Sequence, residues 1–256
     1  MVHIMNHSGK NFLRLSFSSL FATALLLCSP GAAPAASARS IGQILSKTEA
    51  NYQGIHAFTA VFTQKTVSAA ATSLGAQVAE GRLYYAKPRQ MRWEYYKPEK
   101  QVFVANNRFA WLYSENENRI TAFNADKLFA SPLASAFFDG AMRLRDHFSV
   151  TLDSALSTPQ TAVLQLKPLH RDPSIKLAYI WIDRRSFLIS RVQTKDLLGN
   201  TNEITLSSFT PRTNLNPALF LLQVPPKAGV YDANGRMLTP AQLKQLQLNI
   251  SSGAGN

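Results

Sequence analysis

Between residues 58 and 209 the chain is written in short runs rich in aromatic and β-branched residues, each closed by a turn signal. The runs fall at 58–68, 81–87, 91–96, 101–105, 109–114, 148–152, 162–166, 176–182, 188–194 and 202–209. Pro88, Lys97-Pro98-Glu99, Asn106-Asn107, residues 152–160, Asp183-Arg184-Arg185 and Gly199-Asn200 separate them; the last pair reads as a tight hairpin turn. Gaps this short join antiparallel neighbours, because parallel neighbours need a crossover of a dozen or more residues. The pattern therefore predicts about ten antiparallel strands, and a sheet of that width tends to curl.

Helical spacing is confined to a few places. Ser40 and Gln43 read as a capping box ahead of Ile41, Ile44, Leu45, Thr48 and Tyr52, which share one helix face, while Lys47, Glu49 and Asn51 mark the polar face. Ser131-Pro132 predicts a second helix start, followed by Leu133, Ala134, Phe137 and Phe138 and ended at Gly140. Thr239-Pro240 predicts the start of a third. Two or three helices cannot cover both faces of such a sheet. They are placed as a lid on one concave face, an α+β layering.

The N-terminus bears on the compartment. Lys10 and Arg14 precede an uncharged stretch at residues 15–28, and two A-x-A sites follow, Ala33-Pro34-Ala35 and Ala36-Ser37-Ala38. This order predicts a cleaved secretory signal over residues 1–38. The apolar stretch is shorter than the ~20 residues of a membrane span. Leu27, standing before Cys28, is not the small residue of a lipoprotein cleavage site. Cleavage after Ala38 takes the formal charge from +12 to +10 by removing Lys10 and Arg14, and it removes the lone cysteine. Residues 39–230 are expected to form one domain, and residues 231–256 a tail without an assigned role.

Residues 82–100 carry Arg82, Lys87, Arg89, Arg92, Lys97 and Lys100 among aromatics, as a platform for single-stranded nucleic acid would. Export and the interrupting Glu80, Glu94 and Glu99 argue against that partner. No G-x-S-x-G, H-E-x-x-H, P-loop or G-x-G-x-x-G pattern occurs. His56, His147 and His170 lie in separate segments, none paired at metal spacing. No catalytic residue, metal site or cofactor is expected, and the chain is not expected to be an enzyme. The aromatics instead alternate along strands: Met91, Trp93 and Tyr95 share one face, as do Phe109, Trp111 and Tyr113. Under an apolar lid such faces can enclose a cavity for an acyl chain.

These segments, taken in order, resemble the outer-membrane lipoprotein carrier (LolA) family. Phe58-Thr59-Ala60-Val61-Phe62-Thr63-Gln64 is similar to its F-x-A-x-F-T-Q strand, and residues 81–88 (GRLYYAKP) to its G-x-L-x-x-x-R-P stretch. Met91-Arg92-Trp93-Glu94-Tyr95 resembles the next strand, residues 106–113 the D-G-x-x-L-W-x-Y turn and strand, and Ser131-Pro132-Leu133 the start of the second lid helix. Gly199-Asn200-Thr201 and residues 220–226 resemble the late hairpin and the closing segment.

The resemblance implies an incomplete β-barrel with a helical lid over an apolar cavity. It implies a periplasmic chaperone that takes acylated lipoproteins from an inner-membrane ABC transporter and delivers them to an outer-membrane receptor or to the outer membrane itself. A monomer is expected. The alternative is a periplasmic lipid or lipoprotein sensor on a related half-barrel. The cavity is expected to be lined by Phe62, Leu83, Met91, Trp93, Tyr95, Phe103, Trp111, Tyr113, Leu133 and Phe137. In the family an Arg before Pro ties the sheet to the lid. Here that position is Lys87, with Arg89 or Arg92 as substitutes. Lysine lacks the planar fork of arginine, so a looser lock is expected.

Overall fold

The computed structural model describes residues 33–106, 109–125, 133, 144–172, 174–239 and 241–242. The fold is mixed α+β. One open sheet of twelve strands runs in the order β12-β6-β5-β4-β3-β2-β1-β11-β10-β9-β8-β7. The strands are β1 (Ala57–Val67), β2 (Gln77–Ala86), β3 (Gln90–Lys97), β4 (Gln101–Ala105), β5 (Phe109–Ser114), β6 (Arg119–Asn124), β7 (Phe148–Leu152), β8 (Thr161–Pro168), β9 (Leu177–Asp183), β10 (Ile189–Lys195), β11 (Thr201–Arg212) and β12 (Gly229–Asp232). All ten expected strands form. Two others were not expected: β6, which opens on Arg119 directly after the turn at Glu115–Asn118, and β12, which straddles the expected boundary between the domain and the tail.

The sheet is not closed into a barrel, since β7 and β12 end it without pairing to each other. Nor is it wholly antiparallel: β12 lies parallel to β6, with Val230 opposite Ile120. A parallel partner is reachable here because the chain returns over the long connection from β11. Register shifts interrupt β1/β11 at Thr59/Val61, β2/β3 at Glu80/Gly81 and β9/β10 at Ile189/Arg191. Such bulges bend a strand and raise its twist.

Helix α1 (Ala33–Gln53) begins seven residues before the expected cap, so Ser40 lies inside it. The segment ahead of Ser40 is rich in alanine, the strongest helix former, and it carries the helix through that point. The rest of the helix is as expected: Ile41, Ile44, Leu45, Thr48 and Tyr52 are all buried. A second short helix, α2 (Leu144–His147), leads into β7. Of the expected helix at 131–140, only Leu133 is described; it is helical and buried. The expected helix start at Thr239-Pro240 is described at Thr239 and at Ala241 and Gln242, which are helical, but not at Pro240.

The expected hairpin at Gly199-Asn200 is a longer loop between β10 and β11. The Asp196 carboxylate accepts the amides of Leu198 and Asn200 and the Asn200 side chain, while Gly199 takes φ +92. Those hydrogen bonds, the Asn200 side chain first, hold the Asp196 pKa below its usual value.

Candidate functional site

The strand registers sort the side chains into two faces. Leu83, Trp93, Phe103 and Leu112 lie opposite one another across β2–β5, as do Tyr85, Met91, Ala105 and Ala110. Directly opposed residues share a face. Phe58, Phe62, Leu83, Tyr85, Met91 and Trp93 form one buried cluster with Ile41, Ile44, Leu45 and Tyr52 of α1 and with Leu133, and Tyr95 and Phe103 pack against it. This is the inner face.

The structure therefore brings together seven of the ten expected cavity residues: Phe62, Leu83, Met91, Trp93, Tyr95, Phe103 and, from outside the sheet, Leu133 lie in or against this cluster. Phe137 lies outside the described residues. Trp111 and Tyr113 stand apart. They project to the outer face, where Trp111 joins Ile120 and Val230 in a cluster flanked by Leu222 and Leu238. Alternation shows that Trp111 and Tyr113 share a face, but not which one. The register of β5 gives the inner face to Ala110 and Leu112.

Phe62 is the centre of the inner face. It is fully buried, with its ring 4.7 Å from Trp93 and 4.9 Å from Tyr95, edge-on to both. Phe62 lies opposite Gly81 on β2, and its ring occupies the space a side chain at 81 would need.

Helix α1 is moored at its last turn on two sides. Lys87 Nζ, at the end of β2, donates to the carbonyl oxygens of Tyr52 (2.8 Å) and Gln53 (3.4 Å). The Tyr52 carbonyl also accepts the Ile55 amide (3.2 Å), and a cation favours this end of the helix dipole. On the other side Asn51 Nδ2 donates to the Ser186 carbonyl (2.7 Å), and the Tyr52 hydroxyl accepts the Ile189 amide (3.1 Å). Lys47 lies over the Phe187 ring at 5.0 Å. Asp183 shapes that turn by accepting the amides of Arg185 and Ser186. Sequence reasoning missed the second mooring, since nothing links Asn51 to Ser186 before the chain is folded.

Arg92 cannot replace Lys87. It lies on the outer face, bonded to Glu94 (2.6 Å) and to the Leu219 carbonyl (3.3 Å) of the short 3-10 helix Pro217–Phe220. Phe220 of that helix is buried with Ala57 and Ala86. Arg89 sits in the β2–β3 turn with φ +54.

Burial pushes the Tyr52 phenol up to about 12, against the opposing pull of the Ile189 amide. A phenol held protonated by the fold stabilises it fully below the unfolded pKa near 10, and this contribution is lost as pH rises through about 12. At ~1.4 kcal/mol per unit the loss is about 2–3 kcal/mol. Urea unfolding of the parent is expected to weaken between pH 10 and 12. Tyr52→Phe is expected to be less stable at pH 8 by about 1–3 kcal/mol, from the orphaned Ile189 amide, but to have a flatter alkaline limb. An unchanged limb in Tyr52→Phe would assign the loss to other groups.

His56, His147 and His170 are all exposed, and among the described residues no group of His, Cys, Asp and Glu is arranged to hold a metal ion. No described helix is long and apolar enough to cross a membrane.

Comparison with known proteins gives a consistent result. The family described as "Outer membrane lipoprotein carrier protein LolA" matches residues 53–223. The chain is similar to the outer-membrane lipoprotein carrier protein of Cupriavidus pinatubonensis, at 25% identity over 69% of this chain and 82% of that one. It is also similar to that of Azotobacter vinelandii, at 22% identity over 83% and 96%. Among solved structures it is similar to a LolA superfamily protein from Nitrosomonas europaea (11% identity, TM-score 0.38, covering 71% of this chain and 97% of that one). The match of the family to well over half of the chain, beginning at the last residue of α1 and running through β11, means that this periplasmic, non-enzymatic protein belongs to the outer-membrane lipoprotein carrier family, whose general role is lipoprotein trafficking.

Proposed function

We propose that this chain is a chaperone that shields lipoprotein acyl chains between α1 and the inner face, on a sheet curved into an incomplete barrel with α1 in its lid. The observation that carries this reading is the Lys87 contact, which fastens the lid helix to the sheet through a few hydrogen bonds at one end. Each buried methylene is worth ~0.8 kcal/mol, so two or three acyl chains face a cost on the order of 30 kcal/mol in water. A carrier must offer comparable apolar surface and still release it. Phe62, Leu83, Met91 and Trp93 are buried in the same cluster as the apolar face of α1. Loading therefore exchanges α1 contacts for acyl contacts, which keeps the net free energy of capture small.

Removal of residues 1–38 fits this reading. It leaves α1 to begin at Ser40, where the Ser40–Gln43 capping box then falls at the helix N-terminus. The chain is proposed to act as a monomer, receiving cargo from an inner-membrane ABC transporter and passing it to an outer-membrane receptor or to the outer membrane itself. No cofactor takes part. Mass spectrometry of the protein purified from periplasm is expected to find acylated peptides bound to it. Recovery of non-acylated partners alone would overturn the proposal.

A further inference from the structure

The inner face changes character along its strands. On β1 the inward positions run Phe58, Ala60, Phe62, Gln64, Thr66; on β4 they run Ala105, Phe103, Gln101. The end near Lys87 is apolar and the far end carries amides and hydroxyls. At the far end lies a cavity of about 740 Å³, lined by Gln64, Thr66, Gln77, Tyr95 and Gln101 among others. Tyr95 marks the border. Its ring packs on Phe62, and its hydroxyl donates to Gln64 Oε1 (3.0 Å). Gln64 Nε2 in turn donates to Asn202 Oδ1 (2.8 Å). The Gln77 and Gln101 carboxamides make no hydrogen bond among the described residues. Lys97 and Glu99 also line the cavity, and Lys97 is paired with Glu80 at 3.1 Å, so the lining carries no unbalanced cation for a phosphate.

We propose that this cavity is a headgroup subsite for the uncharged ester and amide linkages that join acyl chains to a modified cysteine. The inference rests on the carrier reading above. Neutral amides that both donate and accept suit ester and peptide carbonyls and the peptide N–H. An apolar face that passes through Tyr95 into an amide-lined cavity matches a ligand that passes from hydrocarbon to ester and amide. Anionic phospholipids of the same chain length fit the apolar part equally well, but find no free cation at the head.

The test compares the full chain with its Gln77→Leu/Gln101→Leu variant by calorimetry. These side chains are bonded to nothing among the described residues, so the fold is expected to persist, and a thermal melt checks this. The probes are a dipeptide with a tripalmitoylated N-terminal cysteine, dipalmitoylphosphatidylglycerol, and palmitic acid. The variant is expected to bind the lipopeptide about tenfold more weakly while its palmitic acid affinity stays within about twofold. The parent is expected to prefer the lipopeptide to the phospholipid by a similar factor. An unchanged lipopeptide affinity, an equal loss for all three probes, or a phospholipid bound as tightly as the lipopeptide would each overturn the subsite. A parent that binds none of the three would overturn the carrier reading itself. Should the double variant unfold, Gln101→Leu alone is read by the same outcomes.

Discussion

Gly81→Val is expected to yield no folded protein, and Gly81→Ala to lose ~3 kcal/mol or more in urea unfolding. The glycine is needed for space. A Cβ at this position overlaps the Glu94 carbonyl oxygen on β3 and the Phe62 ring on β1. The carbonyl belongs to a sheet backbone and yields only if the β2–β3 pairing parts. The ring is fully buried and held edge-on by Trp93 and Tyr95. Overpacking a closed core ordinarily costs ~1–3 kcal/mol, and here the backbone clash adds to it. Pairing Gly81→Ala with Phe62→Leu separates the two causes. A double-mutant cycle is expected to show a favourable coupling of ~1 kcal/mol or more, because the smaller side chain removes one overlap and leaves the other. A Gly81→Ala protein within ~0.5 kcal/mol of the parent would mean that Phe62 does not occupy this space.

The same neighbourhood shows how far the sequence could be read. Alternation placed Met91, Trp93 and Tyr95 together, and the inner face carries all three, because a strand buried on one face has period two whatever its neighbours are. The helix face of Ile41, Ile44, Leu45, Thr48 and Tyr52 was legible for the matching reason, with a period of 3.6. Alternation does not say which of its two faces is inside, and so Trp111 and Tyr113 were assigned to the wrong side of β5. Only the registers of β4 on β3 and β5 on β4 settle that. Gly81 was legible as part of a motif, but its partner lay nineteen residues away on β1. Gln64 was legible as part of a motif and Gln101 as the start of a strand, while Gln77 fell outside every expected strand. They come together only because β1, β2, β3 and β4 are neighbours in register. The edge strand β12 escaped notice because four residues with one buried valine carry no periodic signal. Lys87 was singled out through resemblance alone. Its bond to the end of α1 is long-range, and no local pattern announces it.

That bond carries the largest functional effect expected here. Lys87→Leu is expected to slow release of bound lipoprotein about tenfold or more while changing capture little. Lys87 holds the last turn of α1 against the sheet, so its hydrogen bonds stabilise the closed arrangement. Cargo and α1 compete for the inner face, and the apparent affinity for cargo is the intrinsic affinity reduced by the stability of the closed state. Removing the lysine weakens closure by the ~1.5–3 kcal/mol of hydrogen bonds to a charged donor, discounted at this half-exposed position toward the lower figure. The loaded state then gains by that amount, and the gain appears in the off-rate, since α1 no longer returns as readily to displace the chains. Lys87→Arg is expected to restore release, because a guanidinium reaches the same two carbonyls with a planar pair of donors. Stopped-flow transfer of a fluorescent acylated peptide to acceptor vesicles measures both rates. Faster release from Lys87→Leu would place the lysine on the loaded state instead of the empty one. Unchanged release would shift the hold on α1 to its other mooring, Asn51 and Tyr52 against the β9–β10 turn.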